Sequence, residues 1–467
     1  MSIARAAAAT ALLGASLLAQ GWVTTGTDTL TRNTNRKSVG MQALAADNSG
    51  GLHALWSEQT GNLPRRILYS RRPADSTWTP ALVVSESTGG VPALAVDPVT
   101  GAAHACWCAP WGGPQDVFYG TNRSGTWQTQ RLTTDTVTDY SPTIALDPAG
   151  HAHVAWITLD STQAWRIAYA TNRSGQWVNQ VLAGSQLGGF GSGAAPYLAV
   201  SPAGIAHIAY RGGDYPAYRV HHAENSGPGD TAWTYEPLVT PNQADYSSGI
   251  AALDGEQLLL VISGNDGWGM PFRTCYLHRP AGTRVWDEAR LMTADASAAL
   301  RGFTQHSGAV HVAWEQINGN INTERIYHCW RRPDSLFYNS AVRADGQTSG
   351  GSVALTPDRA AHCLVYSGPT AESSQVYCLH SQPFTAVAEE RPAALSARPA
   401  VFGALPVHLG PCPGPVRILD PAGRLVRRLN AGSTVLWDGN TECGLPVRPG
   451  PYFAVDSRGT RRLFLLR

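Results

Sequence analysis

The sequence predicts an all-β fold, and three observations carry that prediction. A short apolar motif ending in an aromatic residue recurs roughly every 50 residues. Each recurrence sits among four short stretches rich in β-branched and aromatic residues, bounded by Gly, Pro, Asn and Asp. Beyond an N-terminal apolar run, no stretch carries the 3.6-residue apolar period of an amphipathic helix. Four antiparallel strands in a repeat of that length are the signature of a propeller blade.

The motif is clearest at Ala152-His153-Val154-Ala155-Trp156, with counterparts at His53, His104, His207, His311 and His362. Leu258-Leu259-Leu260-Val261-Ile262 is a copy without the histidine, which brings the count to seven. The third copy shows the unit: strands near Thr143–Leu146, His153–Trp156, Arg166–Ala170 and Trp177–Leu182. Asp147-Pro148-Ala149-Gly150 and Arg173-Ser174-Gly175 supply the turn residues. One such sheet cannot bury both faces. Packing seven of them radially does, and it hides most strand edges. The expectation is therefore a seven-bladed β-propeller of four-stranded blades over residues 22–382, with the repeated Trp, Tyr, Ile and Leu between blades.

The recurring histidine shares a face with Ala155 in the third copy, while Val154 and Trp156 take the other. It reads as a hydrogen-bonded structural residue tied to the nearby turn. A ring of metal-binding or catalytic histidines is the alternative.

The N-terminus reads as a signal peptide. Arg5 precedes an apolar run, Ala6 to Leu18, too short to span a bilayer, and Ala19-Gln20-Gly21 offers small residues for cleavage. Residues 1–21 are therefore expected to be removed near Gly21, placing the chain outside the cell or on its surface. Asp28-Thr29-Leu30-Thr31 resembles Gln130-Arg131-Leu132-Thr133, the fourth strand of the second repeat. The seventh repeat, conversely, runs out after its third strand near His380. Residues near 24–31 are thus expected to pair with about 374–380 as the outer strand of the last blade. Residues 383–399, rich in Pro, Ala and Glu, read as a linker. Residues 400–467 read as a small β-sandwich of short strands and Gly/Pro/Asp turns.

Composition narrows the partners. Apolar residues make up 43%, charged residues 15%, and the formal net charge is +1, so there is no bulk electrostatic case for nucleic acid or acidic lipid. No later segment is long and apolar enough for a transmembrane span. The basic residues are arginines, except Lys37. Eight cysteines suit an oxidising setting without making a disulfide scaffold. None has zinc-finger spacing, so no metal site and no cofactor is read. Cys106 and Cys108 share a strand face. Cys363 and Cys378 are expected to pair if register permits, and Cys275 and Cys329 to be single buried thiols. Cys412 and Cys443 either bridge the C-terminal module or remain two free buried thiols.

Two resemblances follow from these residues. The turns Thr121-Asn122-Arg123-Ser124-Gly125-Thr126-Trp127 and Thr171-Asn172-Arg173-Ser174-Gly175-Gln176-Trp177 resemble the Asp-box hairpins of sialidase-like propellers, without the aspartate and with a shorter Gly-to-Trp spacing. The Arg-Ile-Pro motif of many sialidases is absent. Further on, the run Val416 to Val426, with Val435-Leu436-Trp437-Asp438-Gly439 and Gly444 to Phe453, resembles flagellar hook-cap-type Ig-like domains. Such modules are similar to the C-terminal sorting domains of type IX secretion. That likeness implies an address or anchor and a partnership with export machinery.

Propellers present ligands on the face made by the loops between second and third strands and the loops into the next blade. Trp111, Trp165, Asp214, Tyr215 and Trp268 fall on the first set, and Asp139-Tyr140 and Asp245-Tyr246, a near repeat, on the second. Aromatic rings beside carboxylates suit sugars, because rings cover C–H faces and carboxylates accept hydroxyl hydrogens. Ordinary loop packing is the competing reading. Catalytic candidates are Glu315 and Asp266 as a carboxylate pair, and Arg211, Arg301 and Arg343 as a carboxylate clamp. The leading expectation is a secreted or surface recognition propeller without catalysis, binding a glycan or a surface protein. A sialidase-like glycoside hydrolase or other carbohydrate-active enzyme is the alternative, and a purely structural surface protein is the third.

Overall fold

The computed structural model describes residues 22, 24–33, 35–88, 90, 92–110, 114–187, 195–213, 218–225, 232–265, 273–291, 298–306, 309–316, 324–331, 338–346, 348–358, 360–370, 373–383, 401–403, 407–412, 414–419, 425–430, 432–441, 447, 450–456 and 459–465. The chain divides into two compact units, Met1–Thr385 and Ala386–Arg467. Among the described residues the regular structure is strand, apart from one short 3-10 turn at Asp254–Glu256.

The first unit begins with β1 (Thr24–Thr29), β2 (Arg36–Ser38), β3 (Leu44–Ala46), β4 (Leu52–Gln59), β5 (Arg66–Arg72) and β6 (Leu82–Ser85). A sheet runs β2-β4-β5-β6, with β3 also paired to β4. The next three sheets are antiparallel meanders. They comprise β7 (Ala93–Val96), β8 (Ala103–Ala109), β9 (Asp116–Thr121) and β10 (Gln128–Arg131); then β11 (Tyr140–Leu146), β12 (Ala152–Leu159), β13 (Trp165–Thr171) and β14 (Val178–Val181); then β15 (Tyr197–Val200), β16 (Ala206–Gly212), β17 (Arg219–Asn225) and β18 (Trp233–Pro237). Two more follow: β19 (Ala244–Leu253), β20 (Gln257–Asn265), β21 (Arg273–Arg279) and β22 (Arg290–Leu291), and β23 (Ala298–His306), β24 (Ala309–Gln316), β25 (Glu324–Arg331) and β26 (Tyr338–Gly346). The last sheet joins β27 (Thr348–Leu355), β28 (Ala360–Thr370) and β29 (Ser373–Pro383) to β1. The first strands of successive sheets touch in sequence, β3 to β7, β11, β15, β19, β23 and β27, and β27 touches β3.

Sheet-to-sheet packing follows a repeated relay. The Nδ1 atoms of His53, His104 and His153 lie 2.6, 2.6 and 2.5 Å from the hydroxyls of Tyr69, Tyr119 and Tyr169. Each tyrosine ring then meets, edge-on, a tryptophan of the next sheet: Trp127, Trp177 and Trp233, at centroid distances of 5.1, 4.8 and 5.0 Å. The histidine column is thus structural in these sheets, and the buried hydroxyl finds the partner that burial demands. The turns before β10 and β14 are closed by Gly125 and Gly175, whose φ values of 91° and 84° favour glycine.

Ring closure rests on the N-terminal strand. β1 pairs antiparallel with β29, from Thr24 opposite Ser381 to Thr29 opposite Tyr377. Past it, the Leu30 N–H donates to Val376 O at 2.9 Å, as the Leu132 N–H donates to Val117 O at 2.7 Å. Thr31 Oγ1 accepts from the Val376 N–H, as Thr133 Oγ1 accepts from the Val117 N–H. The side chain of Lys37 is buried beside this seam. Its ammonium donates to Asn33 Oδ1 at 2.7 Å, Asn35 O at 2.8 Å and Ser374 O at 2.9 Å, and lies 3.7 Å from the Glu58 carboxylate.

One expectation is corrected. Cys363 sits opposite Leu379 and Cys378 opposite Leu364, so the two sulfurs project from opposite faces of their sheet. Cys363 packs with Val365 and Leu379, and Cys378 with Trp56 and Val376. Both are free, as are the buried Cys106, Cys108 and Cys275. The side chain of Cys329 and the pair Cys412 and Cys443 fall outside the described set.

The second unit contains β30 (Val401–Gly403), β31 (Val407–Cys412), β32 (Val416–Leu419), β33 (Leu425–Leu429), β34 (Gly432–Trp437), β35 (Gly450–Asp456) and β36 (Gly459–Leu465). They form a sheet β30-β36-β35-β32-β33 and a pair β31-β34. Leu409, Val435 and Trp437 of the pair share a core with Val416, Ile418 and Tyr452 of the sheet.

Two predictions follow. Lys37→Met leaves the acceptors on Asn33, Asn35 and Ser374 without their donor, while Glu58 keeps Arg66 at 3.0 Å, so it should cost about 2 kcal/mol; deletion of 22–31 should cost still more. Urea unfolding measures both, and an unchanged midpoint would count against this account of closure. The second concerns pH. Burial lowers the pKa of His53, His104 and His153 from 6.5 to about 4. Between those values the unfolded chain binds protons that the folded chain refuses, so their contribution is complete above pH 6.5 and drains away towards pH 4. Asp139, raised by burial to about 6, and Asp245, raised by the same cause, oppose this, while the burial of His221 and His362 adds to it. Thermal unfolding should therefore shift to lower temperature from pH 7 to pH 4.5; a flat or rising profile contradicts it.

Candidate functional site

Among the described residues, Arg211, Tyr140, Trp165 and Tyr246 lie at one end of their sheets, where second strands finish and first strands begin. Arg211, near the end of β16, is buried, and its guanidinium lies 4.3 Å over the ring of Tyr218. Removal from water draws its pKa below the usual guanidinium value. Tyr218 in turn meets Tyr246 of β19 edge-on at 6.1 Å. Tyr140 and Trp165, at the starts of β11 and β13, form a second aromatic pair with centroids 5.7 Å apart. Tyr218 was not singled out in the sequence. Only the β16–β17 pairing brings it under Arg211.

Asp139 and Asp245 do not face solvent; both are 0% exposed. Asp139 accepts from Thr133 Oγ1 at 2.7 Å and from Trp156 Nε1 at 3.0 Å. Asp245 accepts from Thr240 Oγ1 and Asn242 Nδ2, both at 2.9 Å, and from the Val220 N–H at 3.3 Å. Burial raises both pKa values, that of Asp139 to about 6. The near repeat thus supplies two braces that set the loops carrying Tyr140 and Tyr246, and the sugar-accepting role read for these two carboxylates gives way to that one.

Arg301 is the bulged residue of β23, between Leu300 opposite Trp314 and Gly302 opposite Ala313. Glu315 and Arg343 both lie opposite Ile326 in backbone register, and their side chains fall outside the described set. So do Trp111, Asp214, Tyr215, Asp266 and Trp268.

The first strands also line a cavity of about 400 Å³, with Gln42, Leu94, Ile144, Tyr197 and Phe303 among its walls. Most of its lining residues are apolar, but polar atoms make up the larger part of its surface, and polar groups cross it. Gln42 Oε1 accepts from Thr143 Oγ1 at 2.7 Å, Gln42 Nε2 donates to Ile144 O, and the Tyr197 hydroxyl donates to Phe303 O. Asp47, the ionisable residue of the lining among those described, is taken up by His53, Arg71 and Ser49. The cavity is a braced shaft, and Arg211 is not part of its lining.

No family model and no curated protein sequence matches the chain. Solved structures do resemble it. A polysaccharide lyase, Uly1, superposes with a TM-score of 0.51 at 10% identity, covering 78% of this chain and 100% of its own. The lectin BP39L from Burkholderia pseudomallei gives 0.47 at 11%, covering 76% and 99%. The endosialidase of phage phi92 gives 0.46 at 9%, covering 80% and 71%. At such identities the likeness to the lyase is one of fold alone, an all-β, propeller-like arrangement of four-stranded sheets.

Asp245→Ala removes the acceptor for three donors and should cost about 2 kcal/mol. It should also release Tyr246 from Tyr218, read as altered tyrosine fluorescence or near-ultraviolet dichroism. Full stability with an unchanged spectrum would remove the brace from this account.

Proposed function

We propose that residues 22–382 form a seven-bladed β-propeller that recognises a carbohydrate without transforming it. The chain is exported after loss of residues 1–21, and residues 400–467 serve as an Ig-like sorting or anchoring module. The observation that carries the reading is the Arg211 guanidinium over the Tyr218 ring, with Tyr246 edge-on to Tyr218, together with the Tyr140–Trp165 pair at the same end of the preceding sheet. Aromatic faces take the apolar C–H faces of a sugar ring, and a guanidinium beside them takes hydroxyls or an acidic sugar's carboxylate. A fold shared with a polysaccharide lyase makes polysaccharide the first ligand class to test. The alternative, a sialidase-like hydrolase, would need Glu315 and Asp266 beside the bond and the arginines Arg211, Arg301 and Arg343 as a clamp.

A glycan array probed with the chain from Trp22 onward tests the proposal, alongside a panel of chromogenic glycosides. Binding is expected on the array and weakened about tenfold or more by Tyr218→Ala or Tyr246→Ala, since a sugar-stacking ring contributes over 1 kcal/mol. Turnover that disappears in Glu315→Gln or Asp266→Asn would replace recognition with hydrolysis. A clean array would favour a protein ligand or a structural role.

A further inference from the structure

In the fourth sheet the relay of histidine, tyrosine and tryptophan changes its chemistry. His207 occupies the column position, but the residue its ring nitrogen meets in place of Tyr69, Tyr119 or Tyr169 is His222, which lies opposite Ala209. The tryptophan contact persists, with Trp286 of the next sheet edge-on to His222 at 5.3 Å. Glu224 lies two residues along β17, on the same face as His222 and directly opposite His207. Packing alone is satisfied by tyrosine in three other sheets. Here two ligand-type side chains, His222 and Glu224, stand where those sheets have Tyr and Arg or Thr, beside the column histidine, and all three are buried.

We propose that His207, His222 and Glu224 form a binding site for a zinc-type divalent cation. Their donor atoms lie within 4.8 Å of one another. His207 Nδ1 is 3.2 Å from His222 Nε2 and 3.5 Å from Glu224 Oε2. A tetrahedral ion with bonds of about 2.0–2.1 Å sets its ligands about 3.3 Å apart. The support of the ligands fits as well. Glu236 Oε1 accepts from His222 Nδ1 at 2.9 Å and is itself held by Trp286 Nε1 at 2.7 Å. A carboxylate on the outer nitrogen fixes the proton there and leaves Nε2 as a lone pair aimed at His207, the orientation that metal-bound histidines share. Arg279 pairs with Glu224 Oε2, and Arg284 lies 3.8 Å from Oε1. A carboxylate oxygen has two lone pairs, so an ion and the guanidinium can share it.

The test uses the untagged chain, equilibrated with zinc, desalted and measured for bound metal. One zinc per chain is expected, with a higher unfolding temperature than the chelator-treated protein. His222→Tyr installs the tyrosine of the other sheets, so the fold should survive while stoichiometric zinc and its thermal shift are lost. Glu224→Gln serves as a second variant and should weaken zinc at least about tenfold. Absence of zinc from the wild-type chain, or equal zinc in both variants, overturns the site.

Discussion

The closure of the ring of sheets is the constraint on which the rest depends. A row of sheets packed face to face leaves an open face at either end, and each open face would expose the tryptophans, leucines and valines that every other interface buries. Here the first and last sheets are joined by chain from opposite ends of the unit, with β1 on β29 and Lys37 reaching Ser374. Lys37 is the lone lysine of the sequence and is buried. An ammonium has three donors that can point in different directions, and the seam offers carbonyl oxygens from both sides. The same seam gathers Trp78, Arg72 and His380 onto Asp28 of β1, so the N-terminal strand is held by its backbone and by a half-exposed carboxylate.

Within that ring, a repeated contact does the joining and a varied contact does the rest. The histidine–tyrosine–tryptophan relay crosses from one sheet to the next, so a change in it is felt at an interface rather than on a free surface. In the fourth sheet, with His222 in the tyrosine's place and Glu224 beside it, an interface acquires ligand chemistry while keeping its tryptophan contact. The loops obey the same division. Asp139 and Asp245 brace equivalent bends from below, and the residues that follow them, Tyr140 and Tyr246, carry the surface that differs between sheets.

Much of the strand framework was legible because strands leave local marks. The histidine column, the Gly-containing turns and the alternation of apolar residues are all properties of short windows of chain. The likeness of Leu30-Thr31 to Leu132-Thr133 was legible for the same reason, and both pairs make the same two hydrogen bonds. The candidate site was legible only by position along the repeat. Arg211 and Tyr246 were marked by their loops, but the ring between them, Tyr218, was not, and the inward turn of Asp139 and Asp245 is a matter of side-chain direction.

By itself the sequence determined the strand composition, the repeat, the turn positions and the residue types available at each end of the sheets, because each is set by local backbone preference and side-chain alternation. Tertiary structure alone decided register. Register put Cys363 and Cys378 on opposite faces, set His207 against His222 and Glu224, and placed Lys37 across from Glu58, while sheet packing brought Ser374 to it. A shift of one residue along a strand reverses every side chain's face, and no local window of sequence holds that information.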